Sequence, residues 1–361
     1  MTRRTPALLA ALALVAIAAG PAFGADTNSR NAFVVTNLQS DVPGLAANTD
    51  PDLVNGWGIV AGPTTPWWVA DNGTSRSTLY NGNTGAKIPT VIVDIAGAGG
   101  ARTGLPTGIV FNGVATEFVI TGSSGATSNA RFMFDSLDGT LSAWNGGSSS
   151  VVEYTSDHGS VYTGLAIGSV GTSQFLYLAD FANGHVDVLD SGFDLQDWGN
   201  AFTDPGLPAG YGPFGIRTLN GAVYVAYAKQ GEGGEEETGP GLGFVSAFGT
   251  DGSFHGRVAS GGDLNAPWGL AWAPDGWQRF GGHLLVGNFG DGRINAYRPT
   301  DAGWEARGHL KDADHHPIVI DGLWGIGFGN NATAGPATTL FFAAGPDDEE
   351  HGLFGSISAA R

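Results

Sequence analysis

The sequence predicts an all-β fold, a six-bladed β-propeller whose last blade is closed by an N-terminal strand. Three observations carry that prediction. The first is a motif of Trp, Phe or Thr, then Gly, then Ile or Leu, which recurs at NGWGI, LPTGI, VYTGL, GPFGI, APWGL and GLWGI. The residues before the shared Gly are Trp57, Thr107, Thr163, Phe214, Trp268 and Trp324, separated by 50, 56, 51, 54 and 56 positions. A near-constant period built from strands marks a propeller. The second is composition: 60 Gly in 361 residues with 14% charged residues, as many short strands joined by tight turns require. The third is that the two chain ends supply complementary parts of one blade.

The fifth copy, Ala266 to Pro299, is the clearest unit. It reads as strands at Trp268 to Trp272, His283 to Gly287 and Arg293 to Tyr297. Pro274-Asp275-Gly276 and Gly290-Asp291-Gly292 supply the turns, because Gly tolerates positive φ and Asp bonds back to its own backbone. Blade 1 reads as GWGIVAG, WWVADN, STLYNG and IPTVIVDI, and blade 2 as TGIVFN, RFMFDS, TLSAW and VVEYT. Blade 2 also holds a strand-like EFVIT with no place in the ring. Blade 3 has TGLAIGS, FLYLAD and HVDVLD, with a poor outer strand near Trp198. Blade 4 has FGIRTL, VYVAYAK, GFVSAFG and FHGRVAS, and WEARGHL completes blade 5. Blade 6 has WGIGFG, TLFFAAG and GLFGSIS, then the chain ends. The orphan strand FVVTNL, Phe33 to Leu38, is expected to complete it, which removes two open strand edges at once.

Residues 1–24 read as a secretory signal peptide. Arg3 and Arg4 precede an apolar run from Ala7 to Ala19, and Ala22-Phe23-Gly24 suits cleavage before Ala25. The expectation is an exported protein, periplasmic or extracellular, with residues 25–361 forming one propeller domain and blades starting near 56, 106, 162, 213, 267 and 323. No membrane span is expected in the mature chain, and a monomer is. That chain has 14 basic against 34 acidic side chains, a net charge of −20. Such a surface repels nucleic acid and anionic membranes. With 0 Cys, thiol chemistry and disulfides are excluded.

The motifs NGWGI, WWVADNGTSRSTLYNG, LADFANG, LLVGNFGDGRINAY, IDGLWGIGFGN and DDEEHGLFGSI, in this order, resemble an exported bacterial β-propeller family. The likeness runs from about Phe33 to Ser358. It implies a fold and no activity. The blade grammar, taken alone, is similar to NHL-repeat propellers and to gluconolactonase-type, calcium-dependent lactonases.

Propeller geometry puts the loop before each inner strand on the same face as the turn between the second and third strands. Those turns carry Asp71, Asn72, Asp180, Asn183, Lys229, Gln230, Asn288, Asp291 and the run Asp347-Asp348-Glu349-Glu350-His351. Trp57, Phe214, Trp268 and Trp324 fall at the channel mouth. Rigid scaffolds commonly bind through such loop clusters, so this face is the expected binding surface. The Asp and Asn residues equally suit Asx turns, and the aromatic residues suit either ligand stacking or blade packing. Asp347, Asp348, Glu349 and Glu350 are the candidate metal ligands, for Ca²⁺, since hard cations take clustered oxygen ligands. A solvated acidic loop is the alternative, and GEGGEEETG in blade 4 reads as one. His315-His316 reads as a turn, since adjacent extended residues point apart. There is no GxSxG, HExxH or phosphate-binding Gly loop. Two functions remain. One is a binding or scaffold propeller for a small molecule, glycan or protein. The other is a metal-dependent hydrolase or lyase of the lactonase kind.

Overall fold

The protein is described by a computed structural model covering residues 30–360. The expected signal peptide lies outside the described residues. Six sheets form a closed ring, with the inner strand of each beside the inner strands of its two neighbours. Those inner strands are Gly56–Val60, Pro106–Phe111, Tyr162–Val170, Tyr211–Leu219, Pro267–Trp272 and Leu323–Phe328. Among the described residues, no helix is long and apolar enough to cross a membrane.

The repeated Gly has a steric cause. Inner strands of adjacent blades meet around the axis, and the Gly is where they touch. At Gly58 a Cβ would lie 2.6 Å from the Thr107 carbonyl oxygen, and at Gly325 one would lie 2.6 Å from that of Trp57. Any larger residue would push two blades apart. The motif is therefore the imprint of ring closure on the sequence.

The strands read as continuous apolar runs because both faces of each blade are buried. Successive side chains point to opposite faces. Trp67 thus packs with Phe341 and Phe354 of blade 6, while the adjacent Trp68 packs with Phe132 and Phe134 of blade 2. Six such cores, one per blade junction, hold the ring together.

Blade 6 is completed as the sequence predicts. Phe33–Ser40 pairs antiparallel with Leu353–Ala359, on the far side from Leu340–Ala344. The N-terminal segment is further fastened to blade 5. Gln278 exchanges two hydrogen bonds with the Ala32 backbone, at 3.0 and 2.7 Å.

Two details differ from the sequence reading. EFVIT forms its own hairpin, Val119–Thr121 with Thr127–Asn129, inserted between the first two strands of blade 2. Blade 3 has three strands and no outer one. The residue expected near its edge, Trp198, instead packs edge-on to Phe175 at 4.8 Å and covers the blade.

Candidate functional site at the channel mouth

Backbone bonds fix which loops share a face. The Asn55 N–H donates to the His351 carbonyl at 3.0 Å, and the Asn72 N–H donates to that of Asn55 at 3.1 Å. In blades 3 and 5, Phe181 and Phe289 donate likewise to Val161 and Ala266. Entries to the inner strands and the turns after the second strands therefore lie together.

The aromatic residues plug the channel at this face. Trp57 stacks on Trp324 at 3.6 Å and 16°, and Phe289 covers the other side of Trp324 at 4.1 Å. Trp268 meets both tryptophans edge-on, at 6.1 and 5.8 Å. Phe214 and Phe181 fill the remaining side. The Trp268 indole N–H reaches across the ring to the Thr163 carbonyl at 2.7 Å. Large rings in blades 1, 4, 5 and 6 occupy the space that Thr107 and Thr163 leave in blades 2 and 3. The four predicted aromatic residues are at most 8% exposed. They are packed against one another and do not line an open mouth.

Above the plug, two acidic loops converge from blades 4 and 6, which flank blade 5. Glu349 leaves the blade 6 turn and accepts a 2.5 Å hydrogen bond from the Asn55 amide. The Asn55 side-chain oxygen in turn accepts from the Trp324 indole at 3.1 Å, so plug and loop are joined. From blade 4, Glu236–Glu237 pairs with Lys229–Gln230 and folds its loop inward. Burial pushes the Glu236 carboxyl up to about 7, and the nearby Glu349 and Glu235 carboxylates add to that. Burial likewise raises Glu349, helped by Glu235 and Asp348. Like charges held close together favour protonation or a cation.

The other predicted residues are dispersed. Asp347, Asp348 and Glu350 are exposed, and Asp347 to Glu349 all adopt left-handed backbone, which splays their side chains. His351 points away from the axis to Asp41 at 2.8 Å, and this hydrogen bond raises its proton affinity. Lys229 pairs with Glu237 at 2.6 Å. Asp180 accepts from Val161 and Asn183, and Asp291 accepts from Asn288 and Arg293, as Asx turns do. Asp180, His185 and Asp187 also approach one another on blade 3, the His185 ring nitrogen standing 3.0 Å from Asp187. The Asn72 amide donates to the Pro106 carbonyl at 3.3 Å. Asp71 is fully buried at the junction with blade 6, with no partner at either oxygen, and burial holds its carboxyl well above the usual range.

Sequence reasoning did not single out Asn55, Glu235, Glu236, Phe181 or Phe289. The two Phe residues each follow the turn Asp or Asn, at LADF and GNF, and that repetition was a readable signal.

No described protein family matches the chain. It is 33% identical to the uncharacterised protein R648 of Acanthamoeba polyphaga mimivirus over 342 residues, 90% of this chain and 79% of that protein. The uncharacterised protein L690 of the same virus is 34% identical over 334 residues, 87% of this chain and 82% of that one. Among solved structures, the chain is similar to the soluble aldose sugar dehydrogenase of Escherichia coli. The TM-score is 0.50 at 12% identity, covering 91% of this chain and 100% of that one. A gluconolactonase from Xanthomonas campestris aligns at a TM-score of 0.47 and 16% identity, over 91% and 89% of the two chains. At such identities the likeness is one of fold. The two sequence relatives are viral, whereas the motifs resemble an exported bacterial family. The chain belongs to the family that R648 and L690 of Acanthamoeba polyphaga mimivirus represent.

Proposed function

We propose that this protein is an exported, monomeric binding propeller that recognises a small ligand, glycan or protein at its loop face through a cation. The observation that carries the proposal is the convergence of Glu235 and Glu236 with Glu349, from the loops of blades 4 and 6. Their mutual repulsion costs stability, and a divalent cation relieves it. Carboxylate oxygens are the ligands a hard cation such as Ca²⁺ takes.

Added Ca²⁺ is expected to stabilise the fold by mass action, by about 2.7 kcal/mol at a hundredfold excess over Kd, and so to raise the melting temperature. The double variant Glu236→Gln, Glu349→Gln should lose that rise, while Glu350→Gln, in the exposed part of the loop, should keep it. An unmoved melting curve with Ca²⁺, Mg²⁺ and Zn²⁺ would remove the cation from the proposal. For export, the Ala-rich leader with Arg3 and Arg4 supports cleavage before Ala25. N-terminal sequencing of the exported protein should begin there, and a retained Arg3 would refute it.

Glu236 supports a second reading, a metal-dependent hydrolase or lyase. A carboxyl near 7 gains and loses a proton at neutral pH, as a general base must. The same double variant separates the two readings. If wild type hydrolyses simple lactones or esters and the variant does not, the loop face is catalytic.

A further inference from the structure

The far end of the channel holds a charged group that the mouth does not use. Arg217 stands on the inner strand of blade 4, where the equivalent residues of the other blades are Val60, Val110, Ala166, Ala271 and Gly327. Its guanidinium crosses the axis and donates from Nη1 to the carbonyls of Leu270, at 3.1 Å, and Ile326. Among the described residues, no carboxylate pairs with it, in a chain with 34 acidic side chains. Nη2 lies beside Gly327, where even a Cβ would come within 3.3 Å. Burial lowers its proton affinity to about 10, so it stays charged at neutral pH.

This guanidinium lines a cavity of about 230 Å³ below the aromatic plug. The cavity runs from Trp268 to Ala61, Phe111, Ile167 and Thr218, at the opposite ends of the inner strands. Its walls are mainly apolar. An uncompensated buried cation is expensive. Two backbone carbonyls satisfy one nitrogen and supply no counter-charge. An arginine's fork presents parallel N–H donors that match a carboxylate.

We propose that the lower channel is a binding site for a small organic monocarboxylate, its carboxylate on Arg217 and its apolar body against the inner strands. The cavity volume equals that of about eight waters at roughly 30 Å³ each, which suits a short aliphatic acid rather than a sugar chain. The site is separated from the acidic mouth by the plug, so the two stand or fall independently.

The test uses the wild-type mature protein and follows the Arg217 guanidinium ¹⁵N resonances by NMR during titration with hexanoate, hexanol and sodium chloride. The expected result is a saturable shift with hexanoate at a midpoint at least tenfold below those of hexanol and chloride. Arg217→Lys should weaken hexanoate at least tenfold, because an ammonium lacks the paired donors. An equal response to chloride would mean a simple anion site and would overturn the carboxylate. No response to any of the three would mean that Arg217 only ties blades 4, 5 and 6 together, and would overturn the site. The wild-type titration decides the matter even if the lysine variant does not fold.

Discussion

Phe33→Ala is expected to destabilise the protein by about 3–5 kcal/mol, the range for truncating a buried Phe, and removal of residues 30–40 should abolish the native melting transition. Phe33 is 1% exposed, packs against Trp277 with ring centroids 4.5 Å apart and belongs to the core between blades 5 and 6. Its strand covers the edge of Leu353–Ala359 over seven registered pairs. Without it the last blade keeps an open edge at the place where the ring is sealed. Val34 is the internal control, since its side chain is 48% exposed. Val34→Ala should move stability by less than about 0.5 kcal/mol, as for surface substitutions generally. Chemical unfolding of both variants decides it. Equal effects would mean that the strand is an ornament and that blades 1 and 6 hold the ring unaided.

The fold was legible because its main constraint acts on single residues at a fixed period. Each junction forces Gly58, Gly108, Gly164, Gly215, Gly269 or Gly325 at the point of closest approach, and six such points count the blades. The closing strand was legible by arithmetic of strands at the two ends. The hairpin at Val119–Thr121 was not, because its partner lies within the same insertion and obeys no repeat. The missing outer strand of blade 3 was hidden by Trp198, whose large apolar ring suggests a strand but covers the sheet.

The candidate site was legible in its face and less so in its residues. The geometry of strand reversal places Asp71, Asp180 and Asn288 at register-equivalent turn positions. The acidic run in blade 4 reads as solvated because composition cannot show that it meets Glu349, over 100 residues later in the chain. Arg217 was visible as a break in an apolar column, Val60, Val110, Ala166, Ala271 and Gly327. Asp135 was hidden by its motif. FMFDS looks like WWVAD and LYLAD, yet the residue paired at the inner-strand start is Ser136, so Asp135 is one position early and faces the opposite side.

That displacement has a measurable consequence. Asp135 is fully buried where blades 2 and 3 meet at the inner strands. Its Oδ1 accepts from the Thr107 hydroxyl at 2.9 Å and the Gly108 N–H at 2.5 Å, while Oδ2 has no partner. Burial pushes the carboxyl up to about 7 from the ordinary 3.8. The folded chain then holds a proton that the unfolded chain releases between those values. Stability from the neutral acid is fully present below pH 3.8 and is lost as pH rises to about 7. At about 1.4 kcal/mol per pH unit the loss reaches about 4 kcal/mol. Asparagine keeps the accepting oxygen and cannot ionise. Asp135→Asn should therefore match wild type at pH 4 and exceed it by roughly 2–4 kcal/mol at pH 8. Urea unfolding at pH 4, 6 and 8 reads the difference directly. A difference that does not change with pH would show that Asp135 keeps its ordinary pKa in the fold, and a variant weaker than wild type at pH 8 would show that the fold stabilises its ionised form; either would overturn the prediction.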